Sequence, residues 1–187
     1  GTHWPKVDAL AVKAATNNVW TSVALVSRYY GLVEALREAL NAGELGKPVH
    51  YYHSLFAGSP ERYKDWGVDW MLDPEIAGGG PLWNFGPHVV DLFLYLVDPR
   101  VTEVSCWTSH GIYGLEIEDI ATIRLTGASG AIGLGEVSYT MPSSYERFFS
   151  LTTDRLHCGG TKMGQGAILF RDGAESVFEG PDSDTVY

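Results

Sequence analysis

The feature that most restricts the fold is the run of short strand-like segments filling the second half of the chain. Residues 102–109, 118–126, 131–140 and 147–153 each read as a β-strand, with weaker ones near 167–170 and 176–178. Turn formers separate them: Gly127-Ala-Ser-Gly130, Pro142-Ser-Ser144, Gly159-Gly160 and Asp172-Gly173. Turns this short leave no room for crossover helices, so consecutive strands pair antiparallel and form a meander. One face of such a sheet stays open unless something covers it. Ile120, Ile123, Ile132 and Leu134 leave apolar surface to bury, which predicts a homo-oligomer built through the open sheet face.

The first half supplies the helices. Val7, Leu10, Ala11 and Ala14 recur at helical spacing and predict a helix over 7–15. Asn17-Asn18 stops it, since Asn tolerates the left-handed conformation at a helix C-terminus. The β-branched, apolar run 19–26 then predicts a buried strand. Helix followed by buried strand is the second half of a βαβ unit, an unusual opening. Leu32, Val33, Leu36 and Leu40 predict a second helix over 32–40, closed by Asn41-Ala42-Gly43, and 47–56 reads as extended. His50 and His53 lie three residues apart in that strand, on opposite faces, and cannot chelate one ion together. Pro81 opens a helix over 81–97, where a missing N–H costs nothing, and Gly86-Pro87 predicts a kink or a fresh start inside it.

Composition excludes several classes. With 45% hydrophobic and only 19% charged residues, the chain is not intrinsically disordered. The 13 basic against 23 acidic residues give a formal net charge of −10, the wrong sign for nucleic acid or an anionic membrane. No apolar run approaches the ~20 residues that span a bilayer, and no signal-peptide layout opens the chain. Two isolated thiols, Cys106 and Cys158, fit a reducing, cytoplasmic setting. No metal site is expected.

Candidate chemistry concentrates between residues 58 and 91. The stretch 58–80 interleaves turn formers with Tyr63, Trp66 and Trp70. A loop this long is often functional, and its aromatics either plug a core or wall a pocket for a sugar ring or nicotinamide. It leads into Gly78-Gly79-Gly80-Pro81-Leu82-Trp83-Asn84-Phe85-Gly86-Pro87-His88-Val89-Val90-Asp91. Three successive glycines imply close approach of the backbone to something. On one continuous helix Asn84, His88 and Asp91 share a face, where Asn84 and Asp91 orient an imidazole able to exchange a proton near neutral pH. A histidine packed at a helix–sheet junction, with Asp91 as its partner, satisfies the same spacing. The other glycine-rich runs, Gly130-Ala-Ile-Gly133-Leu-Gly135 and Gly164-Gln-Gly166, are followed by strand-like residues, so they lack the context of a dinucleotide cradle.

Arg28-Tyr29, the run Ala42-Gly43-Glu44-Leu45-Gly46-Lys47-Pro48-Val49 and the Gly78–Gly80…Gly86-Pro-His88-Val-Val-Asp91 segment together resemble the Gfo/Idh/MocA oxidoreductases. The resemblance runs from about Asp8 to Leu134 and is looser afterwards. It implies a two-domain, NAD(P)-dependent dehydrogenase of sugars or polyols. Residues 1–27 are then a remnant of the dinucleotide-binding Rossmann domain, its last helix and strand. Residues 28–187 are the C-terminal substrate-binding and oligomerisation domain. The fold class follows as α+β, an open, largely antiparallel sheet with helices packed on one face, preceded by that remnant. NAD or NADP belongs to the full-length protein, with none expected bound to this chain.

The resemblance also assigns roles. His88 is the proton-handling residue, and Asn84 stands where many relatives carry an aspartate, so it positions substrate or His88. Trp70, Asp91 and Tyr63 fall on the substrate side. Trp4, Pro5 and Arg28 fall on the cofactor side, with Trp4 where the family places a lysine and Lys6 two residues later. Two other readings stand beside the dehydrogenase: a non-catalytic sugar-sensing or regulatory module of the same fold, and a metal-dependent lyase or hydrolase using His88 and Asp91.

Overall fold

The structure is a computed structural model and describes residues 3–141, 146–162, 165–170, 173 and 175–179. The expected turn at Pro142-Ser-Ser144, Gly164, Asp172 and the acidic tail 180–187 lie outside the described residues. Helix α1 spans Trp4–Thr16, with Pro5 in its first turn, and α2 spans Gly31–Asn41. Strand β1 (Pro48–Gly58) is followed by α3 (Arg62–Asp65), a 3-10 turn at Asp69–Leu72, α4 (Pro74–Ala77), α5 (Pro81–Asn84) and α6 (Gly86–Leu96). Then come β2 (Val101–Ser109), β3 (Ile120–Gly127), β4 (Ile132–Met141), β5 (Glu146–Thr153), β6 (Leu156–Lys162), β7 (Gln165–Phe170) and β8 (Glu175–Glu179).

These strands form one open sheet in the order β2-β3-β4-β1-β5-β6-β7-β8. Every adjacent pair is antiparallel except β1 with β4. The expected meander is therefore split. Strand β1, formed first in the chain, lies between β4 and β5, parallel to one and antiparallel to the other. Buried on both edges and crossed by helices, β1 reads as the apolar centre of the sheet: Tyr51, His53 and Leu55 are shielded from solvent. His50 is only half-buried, in keeping with its place on the other face.

The core lies between the sheet and the helix pair α2 and α6. Leu32, Val33 and Leu36 of α2 and Val89, Leu92 and Phe93 of α6 meet Tyr51, Leu125, Val137 and Phe149 of the sheet. The glycines of the 130–135 run are a seat for α6, not a cradle. A Cβ at Gly133 would lie 2.5 Å from the Phe93 ring, and one at Gly135 2.3 Å from Val89 Cγ1. The helix settles where the strand has no side chains.

Three expectations are corrected here. Residues 19–25 form no strand; Val19, Trp20 and Val23 are exposed, because no neighbouring strand among the described residues offers a ladder. Gly159-Gly160 is no turn but the middle of β6, paired with Ser150 and Phe149, where backbones run close. Ile123 does not face the open side. Three residues from Ile120, it alternates inward and is buried in the helix-covered core. Ile120, Ile132 and Leu134 do lie on the opposite face, interleaved with Thr122, Arg124 and Glu136. No described helix is long and apolar enough to cross a membrane.

Candidate active site

The continuous helix expected over 81–97 breaks at Phe85, so α5 carries Asn84 while α6 begins afresh at Gly86. Gly86 allows the close packing there: a Cβ would sit 3.2 Å from Leu82 and 3.5 Å from Ile123. Asn84, His88 and Asp91 thus do not share one helical face, and each is held differently.

His88 lies in the first turn of α6, its N–H donated to the Phe85 carbonyl at 3.0 Å. It is half-buried, with Nδ1 shielded from solvent. The next residue is pinned from the sheet, as the Tyr51 hydroxyl donates to the Val89 carbonyl at 2.8 Å. A phenol has one proton, so the 3.0 Å contact between Tyr51 Oη and His53 Nδ1 has the imidazole N–H donating. Burial pushes the Tyr51 phenol well up, and the Asp91 carboxylate adds to this, which keeps that donor protonated.

Asp91 is committed to Arg28. Arg28 Nε donates to Oδ2 at 2.9 Å and Nη2 to Oδ1 at 2.5 Å, a bidentate pair. Arg28 also lies over the Tyr95 ring at 4.8 Å, and Arg37 lies over the same ring at 4.8 Å. Both Asp91 oxygens are thus engaged by Arg28, and no group of three or more His, Cys, Asp or Glu side chains placed to hold a metal ion occurs among the described residues. Arg28, placed on the cofactor side by the resemblance, here locks the 3-10 turn at Val26–Tyr29 to α6.

Asn84 joins a phenol cluster. Its Nδ2 donates to Tyr63 Oη at 2.7 Å and to Tyr139 Oη at 3.3 Å. Tyr63 Oη accepts from Arg62 Nη2 at 3.0 Å, and the Arg62 guanidinium lies over Tyr63 and Tyr139 at 4.5 and 5.0 Å. Burial raises the Tyr139 phenol above its ordinary range, and the Tyr63 hydroxyl adds to the rise. The amide nitrogen is fixed on both hydrogens, which leaves the carbonyl oxygen as Asn84's acceptor for another group. Tyr139 and Arg62 had no motif to mark them; Tyr139 is legible only as an inward position of β4.

What the triple glycine approaches is Glu118. Its carboxylate accepts from Gly80 N at 2.9 Å and Leu82 N at 2.8 Å, at the start of α5. A Cβ at Gly80 would lie 2.1 Å from the Glu118 carbonyl oxygen, and one at Gly79 2.1 Å from Trp83 Cδ1. Sequence reasoning placed Glu118 only as the start of a strand. The cradle is filled by a carboxylate, so it does not fit a dinucleotide pyrophosphate.

Trp70 belongs to a separate place. With Ile76 and Ala77 it faces His3, at the N-cap of α1, and Lys6, Val7 and Leu10 of that helix across a cleft of about 370 Å³. Trp4 and Pro5 open the same helix, and Trp4 is exposed.

Dehydrogenases are among the solved structures similar to this fold. An inositol dehydrogenase homolog complexed with NAD+ from Azotobacter vinelandii superposes with a TM-score of 0.81 at 22% identity, covering 92% of this chain and 46% of that one. The WlbA dehydrogenase of Chromobacterium violaceum, in complex with NADH and UDP-GlcNAcA, gives 0.77 at 23% identity, covering 89% and 48%. A levoglucosan dehydrogenase, in complex with NADH and levoglucosan, gives 0.74 at 17%, covering 87% and 47%. The chain spans about half the length of these structures. No curated protein matches the sequence. Residues 33–163, well over half of the chain, match the model of the GFO/IDH/MocA C-terminal domain, and the chain belongs to that family.

Proposed function

We propose that this chain is the substrate-side domain of an NAD(P)-dependent oxidoreductase acting on a CH–OH group of a sugar, sugar derivative or polyol. The observation that carries the reading is the setting of His88. It begins a helix fixed at the next residue by Tyr51, seated on Gly133 and Gly135, and locked three residues on by Arg28. A proton-handling imidazole needs such a fixed backbone, since a misplacement of about 1 Å costs orders of magnitude in rate. His88 exchanges the proton of the substrate hydroxyl, and the Asn84 carbonyl accepts from a neighbouring hydroxyl while its nitrogen stays tied to the phenols.

NAD or NADP supplies the hydride partner in this chemistry. Its pyrophosphate does not fit the Glu118-filled glycine approach, so it is held by residues outside this chain. Residues 1–27 are the trailing end of that dinucleotide-binding domain and 28–187 the substrate and oligomerisation domain. The exposure of Trp20 and Val23 supports this, because apolar residues there require a covering neighbour. The open sheet face carrying Ile120, Ile132 and Leu134 joins a second copy of the chain.

The test is the His88→Ala variant of the longer enzyme. Turnover falls about 10²–10⁴-fold with NAD(P) affinity unchanged; unaltered turnover removes His88 from the chemistry. A second reading, a non-catalytic sugar-sensing module, is favoured by Asn84, whose amide cannot accept a proton as a carboxylate does. Sugar binding by the longer protein with no NAD(P)-linked turnover would select it.

A further inference from the structure

The cleft between α1 and the 69–77 segment has a charge character opposite to that of the protein. Lys6, Val7 and Leu10 share one face of α1 by their helical spacing, and His3 precedes them at the N-cap. That face looks across at Trp70, Ile76 and Ala77. The chain carries a net charge of −10, yet among the described residues on this lining Lys6 alone is charged, joined by the polar His3. The first turn of α1 has no acidic residue. Asp8 lies two positions from Lys6, on a different side of the helix, and Asp73 beside Trp70 is turned to cap α4, accepting from Glu75 N at 2.8 Å. The volume, about 370 Å³, is within the range of small-molecule sites, about 300–1,000 Å³.

Each wall has a task. Trp70, about half exposed, offers an indole on which the C–H face of a pyranose stacks, with Ile76 and Leu10 closing the apolar side. Lys6 offers a point charge with three donors, suited to an anionic oxygen. A neutral sugar would leave that charge unpaired, whereas a carboxylate or phosphate on the ring would meet it. Lys6 has no carboxylate within ion-pair distance among the described residues.

We propose that this cleft selects anionic carbohydrates, sugars bearing a carboxylate or phosphate, by pairing Lys6 with the anion and Trp70 with the ring. The inference rests on the carbohydrate reading above and adds, apart from His88 and Asn84, a second place where such a ligand is held. Calorimetric titration of the chain with D-glucuronate, D-glucose 6-phosphate and D-glucose tests it, the first two separating carboxylate from phosphate. At least one anionic sugar binds about tenfold or more tightly than glucose, as a charge-assisted contact implies. Lys6→Met erases that difference, Lys6→Arg keeps it, and Trp70→Ala weakens every sugar that binds. Both residues are substantially exposed, and circular dichroism checks that the variants fold. Glucose binding as tightly as both anions, or a Lys6→Met variant with the ratio intact, overturns the inference and leaves the dehydrogenase reading standing. Failure of all three sugars to bind overturns the inference, while the dehydrogenase reading is decided separately by turnover of the His88→Ala variant of the longer enzyme.

Discussion

Arg28 and Asp91, 63 positions apart in sequence, form a bidentate pair that ties the entry of the domain to the helix carrying His88. The Asp91 side chain is 7% exposed and the Arg28 side chain 39%, so one charge is buried and the other reaches solvent.

Arg28→Ala therefore leaves a buried carboxylate without its partner. The expected loss is about 2 kcal/mol, below the 3–5 of fully buried pairs because Arg28 is partly hydrated. Urea unfolding measures it. The double variant Arg28→Met, Asp91→Leu recovers most of the loss, since no charge is then stranded; a double variant as unstable as the single one would refute this account.

Gly80 is required for space: a Cβ there would lie 2.1 Å from the Glu118 carbonyl oxygen. Gly80→Ala costs at least about 3 kcal/mol, at the upper end of overpacking effects. Gly111→Ala, whose nearest neighbour is 3.8 Å away, changes stability by less than about 0.5 kcal/mol. Equal midpoints for the two in denaturant would contradict the close approach.

The Tyr52 phenol is pushed up to about 12, by burial first and then by the Glu136 carboxylate its hydroxyl donates to. A folded-state value above the unfolded one stabilises the fold fully below the unfolded value, about 10, and that stability is lost as pH rises. Wild-type stability therefore falls between about pH 10 and 12, and the Tyr52→Phe variant shows a shallower fall over that window. Denaturant midpoints across the range check it.

Ile132 and Phe148, each 37% exposed on the open face, are among the apolar residues a second copy would cover. The wild-type chain is expected to elute as a multiple of 20.5 kDa, and Ile132→Asp with Phe148→Asp as the monomer. A monomeric wild type at micromolar concentration would argue against the interface.

The residues that read correctly in sequence are those whose neighbours in space are also neighbours in the chain. Helix α2 showed its periodicity, the break before Gly86-Pro87 was marked by its own residue types, and the inability of the 130–135 glycines to form a cradle followed from the strand after them. The fold class followed from these local patterns together with the family resemblance. The run 19–25 is the instructive failure: its β-branched residues suit a strand, but a strand exists only where another backbone completes its ladder.

What the sequence by itself determined is the α+β class, the family and the segment where chemistry concentrates, because periodicity and motif spacing are local properties. Only the tertiary structure decided the rest. It inserted β1 between β4 and β5, since sheet order depends on which edges meet after chain reversal, and no residue encodes that alone. It separated Asn84, His88 and Asp91, sending one to two phenols, one to the head of α6 and one to an arginine 63 residues away. And it gave Gly80 a reason, a carboxylate 38 residues distant whose backbone leaves no room for a side chain.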